Sequence, residues 1–228
     1  MSPFTRDALG IVASYVFVFG LIGIATLLMQ RGRLAPSLTR KIIHIGVAHW
    51  WLIAMATMDD PWVASVGPAS FIVINAAAIR MRLLPAMDEG TGGRNWGTVY
   101  FPISLLVLVN VCWRGIVPPW VGGIGVLTLG WGDGLAAVIG ELSTGPGWRI
   151  WGGRKSLAGT AVMFGASFVV ALVFTLLFSA RFGALLPAAG VAAVTAAAAT
   201  VVELVTPLGV DNVTVPLAVV ALYAGVFA

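Results

Sequence analysis

The feature that most constrains this chain is a near-continuous series of apolar runs, parted only by short polar joints. The runs fall at 8–29, 42–58, 61–79, 98–113, 118–140, 158–179, 183–203 and 213–228. A helix needs roughly 20 mostly apolar residues to cross a hydrocarbon layer of about 30 Å, and most of these runs suffice. Within such a layer backbone N–H and C=O groups find no water and must be satisfied inside the segment, so each run is read as a helix. The expected fold class is all-α, a polytopic transmembrane helical bundle of seven or eight spans. Of the 228 residues 59% are apolar and 10% charged, and no soluble domain is left over. Residues 1–228 are therefore read as a single integral membrane domain. The first run lacks a small-residue cleavage site and is taken as a retained span.

Charge then orients the spans. With an even count both termini share one side. Ten of the 13 basic residues (Arg31, Arg33, Arg40, Lys41, Arg80, Arg82, Arg94, Arg149, Arg154, Lys155) fall on the opposite side, against Arg6, Arg114 and Arg181. The positive-inside rule makes the richer side cytoplasmic and places both termini outside. Asp88, Glu89, Asp133, Glu141, Glu203 and Asp211 share that cytoplasmic side. So do the long, chemically diverse loops 80–97, 141–157 and 204–212, where function is expected. The net charge of +4 reflects this bias, and nucleic acid is not an expected partner. Cys112 is the sole cysteine, which excludes disulfides, zinc fingers and Fe–S clusters within one chain.

Four constellations interrupt the apolar pattern. In Gly130-Trp131-Gly132-Asp133-Gly134 a carboxylate stands among glycines that let backbone approach a ligand closely. Intramembrane carboxylates are functional by default, the bland alternative being a solvated helix end. A hard cation such as Mg²⁺ is typically held by one or two carboxylates plus substrate phosphates. Glu203 and Asp211-Asn212 form a second acidic group, unless they are a capped, solvated turn. Trp151-Gly152-Gly153-Arg154-Lys155-Ser156-Leu157-Ala158-Gly159-Thr160 reads as a phosphate-binding turn entering a helix near Ser156. It is not a Walker A loop, because Gly153 stands where lysine is required and no strand is expected before it. For Arg154 alone, positive-inside anchoring is an equal alternative. Arg40-Lys41-x-x-His44 places two cations on the face of a histidine, which is otherwise a packed structural residue, and Arg94-Asn95-Trp96-Gly97 adds another basic, glycine-adjacent segment. His49, Asn75 and Asn110 are expected to make interhelical hydrogen bonds. A face of several cations and three acids suits a nucleotide triphosphate with Mg²⁺ meeting a lipid, since phosphoryl transfer needs chiefly positioning and charge neutralisation.

These motifs resemble the membrane-bound lipid-alcohol kinases that include phytol kinase, dolichol kinase and the CTP-dependent diacylglycerol kinase. The resemblance rests on Arg40-Lys41-x-x-His44, Gly97-x-x-Tyr100, Gly132-Asp133-Gly134-x-Ala136, Gly153-Arg154-Lys155-Ser156-x-x-Gly159-Thr160, and Glu203 with Asp211-Asn212-x-Thr214-x-Pro216. It covers most of residues 40–216 and is closest to the phytol kinase branch. It implies transfer of the γ-phosphate of CTP to a long-chain isoprenoid or lipid alcohol at the cytoplasmic face, with Mg²⁺ as cofactor. The residues implied as catalytic are Asp133, Lys155 and Asp211, with Asp133, Glu203 and Asp211 toward metal. Lys41, His44, Arg94, Gly132, Gly134, Arg154, Ser156, Gly159, Thr160 and Asn212 would line the nucleotide. Ala137 stands where many relatives carry a further acid, which leaves the metal count open. Two rivals remain. A phosphatidate cytidylyltransferase-like enzyme would release pyrophosphate rather than CDP. A lipid-phosphate or anion transporter would carry polar groups at mid-depth and on both faces.

Overall fold

The computed structural model describes residues 2–81, 96–150, 153–179, 185–207 and 209–227. Arg94 and most of the expected loop 80–97 lie outside the described residues. The fold is an all-α polytopic helical bundle with one small β-hairpin. By backbone packing the chain divides into two compact units, Met1–Ile116 and Val117–Ala228.

The first unit holds α1 (Pro3–Gln30), α2 (Pro36–Ala48), α3 (Trp50–Thr57), α4 (Pro61–Met81) and α5 (Gly97–Trp113). Proline opens α1, α2 and α4, where its missing N–H costs nothing and its fixed φ suits the helix. Helix α1 packs on α2, α3 and α4, and α4 packs on α5. The core is aromatic: Trp51 is fully buried and lies edge-on to Trp113 at 5.3 Å, while the Trp50 indole donates to Ser14 Oγ at 2.8 Å. Phe4, Val12, Val16 and Ile24 of α1 point outward, the apolar surface that a helix presents to lipid.

The expected span 42–58 is broken at His49. The His49 N–H bonds Gly46 O rather than Ile45 O, and its ring Nδ1–H donates to Ile45 O at 2.9 Å instead. The side chain thus bonds a carbonyl of its own helix at the break. Asn75 and Asn110 do bridge α4 and α5. Pro102 offers no N–H to the Thr98 carbonyl four residues earlier, and Asn75 Nδ2 supplies one at 2.7 Å. Asn110 Nδ2 reaches Ser65 Oγ at 3.3 Å.

The buried Asp7 carboxylate ties α1 to the 58–60 joint. Its Oδ1 accepts from the N–H groups of Asp59 at 2.8 Å and Asp60 at 3.4 Å, and Arg6 ion-pairs with Asp59 at 2.8 Å. Asp60 Oδ1 in turn caps α4 by accepting from Trp62 N–H at 2.7 Å.

The second unit is built around one continuous helical segment, Pro119–Leu142. It comprises α6 (Pro119–Leu127), a π-helical turn (Thr128–Asp133) and α7 (Gly134–Leu142). The hairpin β1 (Gly147–Ile150) and β2 (Gly153–Ser156) follows, then α8 (Leu157–Phe178), α9 (Leu185–Val205) and α10 (Asp211–Phe227). The central segment packs on α8 and α10, and α9 packs on both of these. Ala188, Ala192, Ala196 and Ala199 of α9 are fully buried, as expected for close packing through small residues. At the end remote from the hairpin, the buried Tyr223 hydroxyl bonds Thr175 Oγ1 at 2.7 Å and Trp120 lies edge-on to Tyr223 at 6.0 Å. Five helical segments are long and apolar enough to cross a membrane among the described residues, with two shorter apolar helices beside them.

The Asp7 tie is testable. Asp7→Ala removes the shared acceptor of the Asp59 and Asp60 N–H groups, and thermal unfolding in detergent is expected to fall by an equivalent of about 0.5–1.5 kcal/mol. Asp7→Asn keeps the accepting Oδ1 and should lose less. An unchanged unfolding temperature in Asp7→Ala would remove this joint from the determinants of stability.

Candidate active site

Asp133 closes the π-helical turn, is half-buried, and stands just before the first residue of α7. π turns are rare and concentrate at functional sites. The glycines around it are used for close approach. A Cβ on Gly132 would stand 2.6 Å from Met163 Sδ and 2.9 Å from Ser167 Oγ of α8. A Cβ on Gly159 of α8 would stand 2.8 Å from Ala136 O of α7, and one on Gly125 would stand 2.7 Å from Pro216 O of α10. Gly125 beside Pro216 and Trp120 beside Tyr223 make α6 and α10 antiparallel. Continuing that register brings the start of α10, and with it Asp211, alongside the π turn, on which α10 packs.

Asp211 is buried, and its Oδ1 accepts from the Asn212 backbone N–H at 2.8 Å and from Asn212 Nδ2 at 3.0 Å. Asn212 Nδ2 also donates to Gly209 O at 3.1 Å, across a turn that Gly209 makes at φ +86°. Thr206, after the last turn of α9, meets Thr214 of α10 with their hydroxyls 3.1 Å apart, so the two helix ends are joined.

The hairpin was not expected from sequence. Its antiparallel register pairs Gly147 with Ser156, Trp148 with Lys155, Arg149 with Arg154 and Ile150 with Gly153. Trp148, Ile150 and Lys155 therefore share one face, Arg149 and Arg154 the other. Lys155 Nζ forms an ion pair with Glu203 Oε1, joining β2 to the last turn of α9. The Glu203 side chain is 5% exposed and that of Lys155 20%. Arg154 does not reach toward them. Its guanidinium donates to Ser143 O at 2.9 Å and Gly145 O at 2.8 Å, so it fastens the turn that precedes the hairpin.

Three other residues expected to line a nucleotide build the start of α8. Ser156 is its N-cap, with Oγ accepting from Gly159 N–H at 3.0 Å, and the Thr160 hydroxyl donates to Ser156 O at 3.1 Å. Leu157 N–H bonds Pro146 O at 3.0 Å. Two of the N–H groups that a helix start offers to an anion are thus already engaged within the chain. Gly134, buried, opens α7. Lys41 and His44 lie on α2 in the other unit, where the His44 ring approaches Phe101 at 5.7 Å. Arg94, Trp151 and Gly152 lie outside the described residues.

The structure thus brings Lys155 together with Glu203, Asp211 with Asn212, and the π turn that ends at Asp133 against α8 and α10. Among the described residues no three of His, Cys, Asp and Glu converge as a metal cage. Sequence reasoning missed Ser143, Gly145 and Pro146 as the acceptors that hold Arg154 and Leu157; their turn composition was the available signal. It also missed Thr128, whose buried Oγ1 has no hydrogen-bond partner among the described residues at the start of the π turn.

Fold and site define a polytopic membrane protein with a carboxylate on a helical distortion and a half-buried lysine paired with a buried glutamate at one end of a helix bundle. Compared with known proteins, the chain is 34% identical over 211 residues to a phytol kinase from Synechocystis sp., a match covering 92% of this chain and 87% of that relative. No protein-family profile matches the chain, and no solved structure matches it. Identity at that level over nearly the whole of both proteins shows kinship, and the chain belongs to the phytol kinase family.

The close approach of α7 to α8 gives a direct test. Gly159→Ala drives a methyl group against the Ala136 carbonyl, which is backbone and cannot swing aside. Overpacking of this kind is expected to lower stability by about 1–3 kcal/mol in thermal unfolding. Gly165→Ala, on the same helix with nothing within 4 Å, should be neutral or slightly stabilising. Equal behaviour of the two variants would show that the approach does not matter.

Proposed function

We propose that this protein is a kinase that transfers the γ-phosphoryl group of CTP to the hydroxyl of a long-chain isoprenoid alcohol, at the cytoplasmic face of the membrane. The observation that carries this reading is the likeness to a phytol kinase over nearly the full length of both chains. The site supports it, because a cation on the hairpin and carboxylates at the π turn and the start of α10 are the groups that phosphoryl transfer uses. The bias of basic residues toward one set of loops supports the cytoplasmic orientation.

In the proposed reaction the alcohol oxygen bonds to the γ-phosphorus while the bond to the bridging β–γ oxygen breaks. CDP leaves, and the hydroxyl proton passes to solvent. Lys155 neutralises charge on the phosphate oxygens. Asp133 and Asp211 are the residues to hold Mg²⁺. The donor set fits, since a hard cation that arrives with a nucleotide needs one or two carboxylates and completes its shell with phosphates and water. When bound, the ion would neutralise the phosphates and draw charge from the leaving oxygen. Asn212 fixes the Asp211 carboxylate through its amide and backbone N–H. Outward-facing apolar side chains leave the alcohol's chain in its own solvent, with only the hydroxyl brought to the polar end of the bundle.

The purified chain, incubated with each nucleoside triphosphate and a panel of phytol, geranylgeraniol, farnesol, polyprenol and diacylglycerol, is expected to yield an alcohol monophosphate and CDP from CTP. Release of pyrophosphate without CDP, or movement of a lipid phosphate across vesicles without nucleotide turnover, would overturn the proposal. Asp133→Asn is expected to lower kcat roughly a hundred- to a thousandfold, the usual scale for removing one charge-stabilising group, with the unfolding temperature little changed. Wild-type turnover in that variant would remove Asp133 from the site.

A further inference from the structure

We infer that Glu203 acts in this reaction as the positioning residue of Lys155 rather than as a metal ligand, an inference that rests on the kinase reading above. Three observations converge on it. First, Glu203 is placed where a carboxylate is poorly tolerated. It is 4% exposed and lies in the last turn of α9, whose carbonyl-rich end repels negative charge. A buried ion pair seldom stabilises a fold more than apolar residues of the same size, so stability alone does not account for an acid there. What the pair does provide is a fixed ammonium group.

Second, Lys155 needs fixing. A lysine is a point charge on a four-carbon flexible stem with three donors, and β2 determines only where that stem begins. One donor engaged by Glu203 sets the position of the head and leaves two directions for phosphate oxygens. Arg154 is turned away from Glu203, its two terminal nitrogens donating to Ser143 O and Gly145 O. Arg149 pairs with Arg154 on the opposite face of the hairpin from Lys155. Lys155 is therefore the cation that the hairpin directs toward α9 among the described residues of this unit.

Third, among the described residues Glu203 belongs to no cluster of three metal-ligating side chains, and its nearest charged partner is the ammonium of Lys155. One of its two carboxylate oxygens, Oε1, accepts from Lys155.

The test is a double-mutant cycle on the full-length chain in detergent or nanodiscs, with Glu203→Gln, Lys155→Ala and the double variant. KM for CTP, KM for the alcohol, kcat and the Mg²⁺ concentration giving half-maximal rate are measured for each, with unfolding temperature as a control. If Glu203 acts through Lys155, each single variant raises KM for CTP about tenfold, and the double variant is no worse than the poorer single one, since groups in one interaction do not add. KM for the alcohol and the Mg²⁺ requirement stay within about twofold of wild type, as for distant sites. Additive losses, a raised Mg²⁺ requirement in Glu203→Gln, or kinetics unchanged while only the unfolding temperature falls would each overturn the assignment. A wild-type chain that neither binds nor turns over a triphosphate would overturn the kinase reading itself, and the wild-type measurement alone distinguishes that failure.

Discussion

The second unit depends on contacts that only glycine permits. The segment Pro119–Leu142 is flanked by α10 at Gly125 and by α8 at Gly132, while Gly159 of α8 admits the Ala136 carbonyl. In lipid no hydrophobic force drives one apolar helix onto another, so cohesion comes from close van der Waals approach and from hydrogen bonds between helices. Small residues permit the first here, at these glycines and at the alanines of α9. The Tyr223–Thr175 bond supplies the second. Because the approach is close on two sides, the π turn between them has little room to relax, and the backbone that carries Asp133 is held between α8 and α10.

The two ends of this unit are chemically unlike, although the helices joining them are uniformly apolar. At one end aromatic rings meet around a buried hydroxyl network among Trp120, Phe178, Tyr223 and Thr175. At the other, the hairpin, the close of α9 and the start of α10 collect charge and amide groups. Helix direction makes this possible: the start of α8, the end of α9 and the start of α10 fall together because successive helices run antiparallel. The polar groups thus come from residues far apart in sequence, and Lys155 and Glu203 are separated by 48 positions.

That separation explains what was legible in the sequence and what was not. Helix positions were readable because apolar run length is a strong local signal, although the second helix, expected from 42, starts earlier at Pro36. The start of α8 at Ser156 was readable because a serine before an apolar run is a cap. The break at His49 was not, because it arises from competition between a ring N–H and a backbone N–H for one carbonyl. The hairpin was not, because four-residue strands such as Gly-Trp-Arg-Ile and Gly-Arg-Lys-Ser lack apolar alternation and are defined by each other. Arg154, Lys155, Ser156, Gly159 and Thr160 read as one phosphate-binding turn, yet they do different things: Arg154 and Ser156 hold backbone, Gly159 admits a carbonyl, Thr160 returns to Ser156, and Lys155 reaches across to α9. Residue type announced a polar site, and only the cross-chain pairing separates its parts.

The π turn has a meaning for how such a segment tolerates change. A π turn is in effect an α-helix carrying one residue too many, absorbed by widening a single turn. Each residue of an α-helix advances the side chains by about 100° around its axis. Loss of one residue between Thr128 and Asp133 would let the segment close into regular helix and swing all of α7 by that angle. Gly140 would then leave Ser156, and Ala136 would leave Gly159, without any change in what those residues are. A protein of this kind can drift in composition along its lipid-facing helices while remaining intolerant of a change of length by one in the middle of the segment that carries Asp133.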